Sequence, residues 1–250
     1  MTVKKIVLVT GASRGIGAAT ALLFAKHSYD VVVNYKSNKK AALDVVAQIK
    51  QLGSHAVAIP ANVSDEAEVS SLFNQIDEYF GRLDVLINNV GILNTQQRFV
   101  DMPLHRLSNV LQTNILSHML CSQHAIKRMG HSFGGQGGCI VNVSSVASRT
   151  GSPFEYIDYA ASKGAIDTFT KGLAVECAED GIRVNAVRPG IIATDIHADG
   201  GEPDRPERLA KQLPLKRAGL AEEVAEAIFW LASEHSSFTT GSMLDVSGGL

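Results

Sequence analysis

The chain has 250 residues, 23 Lys+Arg against 25 Asp+Glu, a formal charge of −2, and 45% hydrophobic against 19% charged residues. Surface scaling lets a chain of this length bury roughly 70% of its extended surface, and the composition excludes disorder. Near-neutral charge without a long Lys/Arg run excludes a nucleic-acid partner. No stretch approaches the ~18 uninterrupted apolar residues of a membrane span, and no signal peptide is read. Cys121, Cys139 and Cys177 are odd in number and far apart, offering neither a disulfide framework nor a metal clip and suiting a reducing cytoplasm. The eight histidines show no HExxH or paired spacing, so no metal site is expected.

Along the chain the apolar pattern alternates in period. Lys4–Thr10 is a short β-branched run of the kind that a strand buried on both faces requires. A glycine-rich turn leads to a helix over Ile16–His27, then a strand at Val31–Tyr35, a helix at Ala41–Leu52 and a strand at Ala56–Ile59. Asp65–Phe80 is a helix with an acidic first turn and Gly81 past its end. There follow a strand at Leu83–Asn88, one long helix over Pro103–Met129, a strand at Cys139–Ser144 and a helix at Asp158–Ala178. A strand at Ile182–Arg188, a helix at Ala221–Ser233 and a strand at Ser242–Val246 close the chain. Alternation with short links predicts a single-domain, Rossmann-type α/β fold: a doubly wound parallel sheet of about seven strands with helices on both faces, spanning 1–250. Gly130–Gly138 reads as a flexible surface loop, and the Gly-, Asp- and Pro-rich stretch around 192–214 as a lid or substrate loop.

The first strand runs into Thr10-Gly11-Ala12-Ser13-Arg14-Gly15-Ile16-Gly17. Gly11 permits the tight turn, while Gly15 and Gly17 let backbone approach a pyrophosphate and helix approach strand, with the helix-start N–H groups facing the phosphates. A dinucleotide site normally has an acid after the second strand for the adenosine ribose. Here Tyr35-Lys36-Ser37 stands there. With no carboxylate to repel a 2′-phosphate, and with Arg14 and Lys36 able to pair with one, NADP(H) is the expected cofactor, NAD remaining possible.

Tyr159 and Lys163 are i and i+4 on one helix face. An ammonium about 4 Å from a phenol at an effective dielectric near 20 favours phenolate by about 4 kcal/mol, roughly three pKa units. Ser144-Ser145 falls at the carboxyl edge of the fifth strand, where ligands of open α/β sheets bind and a hydroxyl can hold a substrate oxygen. Asn114 falls inside the long helix, either as a water anchor for a proton relay through Lys163 or as an ordinary polar residue.

From Thr10 to Gly249 the chain resembles the short-chain dehydrogenase/reductases, and is similar to their 3-oxoacyl-ACP-reductase-like and glucose-dehydrogenase-like members. The likeness rests on the TGxxxGxG turn, Asn88-Asn89-Val90-Gly91, Asn114, Ser145, Tyr159-xxx-Lys163 and Pro189-Gly190. The resemblance implies that Tyr159 is the general acid/base and Ser145 positions the carbonyl or alcohol. It implies that Lys163 holds the nicotinamide ribose and lowers the Tyr159 pKa, and that Asn114 anchors a relay water. It further implies that Asn62 and Val63 contact adenine, that Asn89 and Gly91 line the ribose, and that Ile192 and Thr194 reach the carboxamide. A homotetramer built on the helices around Asn109–Met129 and Asp158–Ala178 and on the last strand is implied as well. Val90 replaces the family's usual Ala and Asn62 its common Asp. The expected activity is interconversion of a carbonyl and a secondary alcohol on a small molecule. Two alternatives stand beside it: a non-catalytic dinucleotide-binding sensor or scaffold, and an enoyl reductase using Tyr156, seven residues before Lys163. Phe154, Tyr156, Ile191, Ile192 and His197 are candidates to line the substrate pocket.

Overall fold

Short β-branched runs that leave neither face wet become strands only if helices cover both sides. The computed structural model, which describes residues 4–250, has β1 (Ile6–Val9), β2 (Asp30–Tyr35), β3 (Ala56–Pro60), β4 (Val85–Asn88), β5 (Gly138–Val143), β6 (Ile182–Pro189) and β7 (Met243–Val246). They form one all-parallel sheet in the order β3-β2-β1-β4-β5-β6-β7. Side chains alternate across it: Val7 and Val9 enter a layer with Phe24, Ile49, Val224 and Ile228, whereas Ile6 and Leu8 enter the opposite layer with Phe73, Ile76 and Met129. The helices that supply these layers are α1 (Gly15–Lys26), α2 (Lys39–Gln51), α3 (Glu66–Phe80), α4 (Leu104–Leu111), α5 (Ser117–Met129), α6 (Ala147–Thr150), α7 (Ile157–Glu176), α8 (Ile196–Asp199), α9 (Arg205–Ala210) and α10 (Ala221–Ala232). Cys121, Cys139 and Cys177 are all buried among apolar neighbours.

Three expectations need correction. The helix expected over Pro103–Met129 is broken into α4 and α5 by a π-turn at Gln112–Leu116. Gly130–Gly138 is not a loose loop: Gly135 N–H bonds Gly130 O at 2.9 Å, Gly137 N–H bonds Met129 O at 2.7 Å and Ser132 N–H bonds Asp180 Oδ1 at 2.8 Å. A Cβ on Gly137, at φ +76°, would stand 2.5 Å from Gly181 O, so these glycines serve close packing. The stretch around 192–214 carries the short helices α8 and α9 rather than running without structure.

Candidate active site

The chain lays β1, β2 and β3 down in one direction and β4 to β7 in the other, so the loops after β1 and β4 diverge and open a crevice at the carboxyl ends of the strands. The cleft there has a volume of about 1010 Å³.

Its floor is the turn after β1. Gly11 sits at φ +62° and donates to Asn34 Oδ1 at 3.2 Å. Asn89 Nδ2 donates to Thr10 O (2.9 Å) and Gly11 O (3.2 Å), while Thr10 Oγ1 accepts from Asn89 N–H at 2.9 Å. A Cβ on Gly17 would stand 2.5 Å from Gly11 O and 2.6 Å from Asn89 Nδ2, so Gly17 serves the contact of helix with turn and stays out of the cleft. Arg14 is the extended N-cap of α1, makes no side-chain cap, and no acid occupies the first turn. The first N–H groups of α1 are thus free of side-chain partners at a positive dipole end, which fits a pyrophosphate.

Ser13, Arg14, Gly15, Ile16, Lys36, Ser37, Asn62, Val63, Asn89, Val90, Gly91, Pro189, Gly190, Ile192 and Thr194 all line the cleft. Tyr35 does not. Strand alternation sends it, with Val31 and Val33, into the core layer at 6% exposure, and Asn34 faces the cleft instead. The Arg14 guanidinium is engaged by Asp199, with Asp195 at 3.7 Å, so a cross-strut joins the β1 turn to α8.

The carboxyl end of β5 and the first turns of α7 supply the other wall, with Ser145, Tyr159 and Lys163 all lining it. Ser145 Oγ accepts from Ala147 N–H at 3.1 Å, which leaves its own proton for another acceptor. The Lys163 ammonium, 2% exposed, donates to Val143 O at 2.7 Å and lies 5.6 Å from the centre of the Tyr159 ring. The electrostatics differ from the sequence expectation. Burial pushes the Tyr159 phenol up, with the Ser145 hydroxyl pulling the other way, and burial pushes Lys163 down to about 8 against the pull of Asp167. Desolvation is the largest influence on both groups, so the phenol is held above its ordinary range and keeps its proton near neutrality.

Lys163 carries a stability cost with a definite sign. Its pKa in the folded chain, about 8, lies below the ordinary 10.5, so the penalty is full below about pH 8 and gone above about 10.5. Lys163→Met is therefore expected to stabilise the chain at pH 7 by about 2 kcal/mol after the loss of the bond to Val143. Thermal melts from pH 7 to 10.5 should show that gain shrinking and turning into a loss of about 1 kcal/mol, the worth of the bond to Val143.

Asn114, buried on the π-turn, also departs from expectation: it does not line the cleft. Its Oδ1 accepts from Ile92 N–H at 2.8 Å, and its Nδ2 donates to Ile92 O and Ser162 Oγ, each at 3.1 Å. Both amide hydrogens are spent on clamping the segment after β4 to α7. Sequence reading missed Asn34, which braces the β1 turn, and Arg205 of α9, which lines the cleft; the Pro- and Asp-rich run around Arg205 carried no periodic signal. Tyr156 is the N-cap of α7 and His197 lies on α8; both are buried cleft-lining residues, as is Ile192, while Ile191 lines the cleft half-buried and Phe154 is exposed and outside it.

A glycine turn at a sheet switch point, facing a Ser, Tyr and Lys wall, defines the architecture of a nucleotide-dependent α/β oxidoreductase. Residues 11–250 match the family model described as enoyl-(acyl carrier protein) reductase. The chain is 54% identical over 98% of its length to the uncharacterized oxidoreductase YgfF of Escherichia coli, covering 99% of it. It is 38% identical to glucose 1-dehydrogenase 2 of Bacillus subtilis, covering 98% of this chain and 94% of that one. A crystal structure of a short-chain type dehydrogenase/reductase from Mycobacterium marinum superposes with a TM-score of 0.91 at 32% identity, covering 98% and 95% of the two chains. The chain belongs to the short-chain dehydrogenase/reductase family, whose members use nicotinamide cofactors.

Proposed function

We propose that the chain is an NADP(H)-dependent oxidoreductase that interconverts a carbonyl and a secondary alcohol on a small molecule. The observation that carries this reading is the convergence of Ser145, Tyr159 and Lys163 on one wall of the cleft that begins at the free end of α1. The bound cofactor supplies or accepts the hydride. Ser145, which accepts from Ala147 N–H and keeps its own proton free, donates to the substrate oxygen and holds it against Tyr159. Tyr159, protonated at neutral pH, gives that oxygen its proton during reduction and takes one back during oxidation. Lys163 has one protein partner, Val143 O, leaving N–H groups for the ribose hydroxyls and a positive charge beside the phenolate. Asn114 acts as a positioning residue that fixes the segment after β4 against α7. Expected is NADPH consumption with ketones in a broad carbonyl panel. Inertness across ketones, quinones and diketones would favour a non-catalytic dinucleotide-binding module.

The family model's description names double-bond reduction, and Tyr156 stands in the cleft. Tyr156 precedes the first turn of α7, however, with φ −139°, and the Ser145 hydroxyl stands by Tyr159. Carbonyl chemistry uses that serine; double-bond reduction has no need of it.

The NADP(H) reading is supported by Lys36 in the cleft and by the missing acid after β2. Arg14 can meet a 2′-phosphate only by giving up Asp199. Asp199→Asn is therefore expected to tighten NADPH binding several-fold and leave NADH binding nearly unchanged, as read by fluorescence titration of both cofactors. A homotetramer is proposed with it, supported by exposed Val175 on α7 and by exposed Leu104, Leu111 and Leu116 along the broken helix. No helix among the described residues is long and apolar enough to cross a membrane, and the proposed setting is cytoplasmic.

A further inference from the structure

The segment after β7 returns to the cleft. Among residues 243–250 Leu250 alone lines it, 42% exposed. Its place is fixed from two sides. Arg149 Nη2, on α6, donates to Leu250 O at 2.8 Å, and Ser247 Oγ donates to the same oxygen at 3.2 Å. On the other side Leu215 N–H donates to Gly248 O at 3.2 Å. Gly249 lies at φ +98°, and a Cβ there would stand 2.9 Å from Pro214 Cβ, so this path suits glycine alone. At the foot of the segment a Cβ on Gly190, itself a cleft residue, would stand 2.8 Å from Ser247 Cα.

Arg149 is held in its turn. It pairs with Asp245 at 3.1 Å, Asp245 meets Arg188 at 3.6 Å, and Arg188 pairs with Asp167 at 2.8 Å. Asp167 is buried on α7, eight positions after Tyr159. A row of alternating charges thus runs from the helix of the proposed acid to the guanidinium on Leu250. α6 begins two positions after Ser145, and its Ala147 and Thr150 line the cleft, so Leu250 stands at the serine end, away from the β1 turn. The rim continues through Gly151, Ser152 and Phe154, at φ +73°, +42° and +67°. Residues other than glycine keep that conformation only where their surroundings dictate it. Ser152 O accepts from Glu155 N–H at 3.3 Å and Tyr156 N–H at 3.1 Å, and Ser152 and Pro153 line the cleft. The wall that adjoins Leu250 is built not to yield.

Resting on the carbonyl–alcohol reading above, we propose that Leu250 sets the size limit of the substrate, and that Arg149 is the positioning residue that holds Leu250 at that limit. The cleft, about 1010 Å³ in all, has to take dinucleotide and substrate together, so the share left to the substrate is small. Leu250 fixes how much of a carbonyl compound's larger substituent fits beyond Ser145 and Tyr159. Its isobutyl group offers that substituent apolar surface to cover and bounds its bulk at once.

The test compares NADPH-dependent reduction of butan-2-one and 4-phenylbutan-2-one, which share the reacting carbonyl and differ by a ring at the far end. The readout is the ratio of kcat/KM for the larger ketone to that for the smaller. Leu250→Ala should raise this ratio by about tenfold or more over the wild type, and Leu250→Trp should lower it by about as much. Arg149→Ala should raise it by about threefold or more, through loss of the bond that seats Leu250. The Arg149→Ala/Leu250→Ala pair should go no further than Leu250→Ala alone, because Arg149 acts through Leu250. Both residues are exposed, so melting temperatures should stay within about 2 °C of the wild type. A ratio unchanged in Leu250→Ala or Arg149→Ala, a ratio that does not fall in Leu250→Trp, or a pair that exceeds Leu250→Ala overturns the proposal, while turnover of butan-2-one leaves the carbonyl–alcohol reading standing. No turnover of either ketone overturns it as well, and NADPH consumption elsewhere in the wider carbonyl panel then decides the activity separately.

Discussion

Tyr159→Phe should lower kcat/KM for carbonyl reduction by about 10²–10⁴-fold, the range of a positioned general acid. The argument is one of supply. The phenol is pushed up by burial, so near neutrality it is protonated and ready to give. Phenylalanine keeps the ring and its packing while removing the hydroxyl proposed to hand its proton to the substrate oxygen, and it leaves the Lys163 ammonium on Val143 O. NADPH affinity should move by no more than about tenfold, the worth of one neutral hydrogen bond. The two readouts together separate chemistry from binding: steady-state kinetics with a ketone, and fluorescence titration of the cofactor. Activity retained in Tyr159→Phe and lost in Tyr156→Phe would transfer the acid role to Tyr156 and favour the double-bond reading.

The second large effect lies beside it. Arg106 and Asp158, 7% and 6% exposed, form a two-point pair, with Nε to Oδ2 at 2.7 Å and Nη2 to Oδ1 at 3.2 Å. Arg106 also donates to Thr95 O at 2.7 Å, and Asp158 Oδ1 accepts from Tyr159 N–H at 2.9 Å. The pair thus ties α4 and the segment after β4 to the first turn of α7, one residue from the proposed acid. Arg106→Leu leaves the Asp158 carboxylate buried without its counter-charge and should cost about 3–5 kcal/mol, or roughly 10 °C in melting temperature for a chain of this size. The Arg106→Leu/Asp158→Leu pair should recover most of that loss, since replacing both charges removes the uncompensated one. Thermal unfolding of the three variants measures it. A single substitution costing under about 1 kcal/mol would mean that the segment relaxes to let water in.

All seven strands were legible in the sequence, because Val, Ile and Leu runs such as Ile6–Val9 admit little but a strand covered on both faces. The cleft was legible in outline for a related reason: turn glycines and a serine at a strand end mark places where backbone geometry dictates residue type. What escaped depended on direction and register. Tyr35 stands where the ribose-binding acid is expected, although the alternation of Val31, Val33 and Tyr35 places it on the core side of β2. The π-turn at Asn114 leaves no compositional trace, since it is one surplus residue in an otherwise helical run. The pairing of Tyr159 with Lys163 followed from i, i+4 spacing, but spacing says nothing of desolvation, which decides both their pKa shifts. The Gly130–Gly138 stretch misled because glycine marks suppleness and tight packing with the same letter.

The surplus residue at Gln112–Leu116 has a genetic corollary. Losing a single codon beside Asn114 would remove the surplus residue and let an ordinary helix run through without the π-turn, the segment beyond keeping roughly its facing. The amide of Asn114 would turn away from Ile92 and Ser162 even though its own codon survived. An in-frame deletion there should therefore prove more damaging than most of the missense changes in the same pentapeptide.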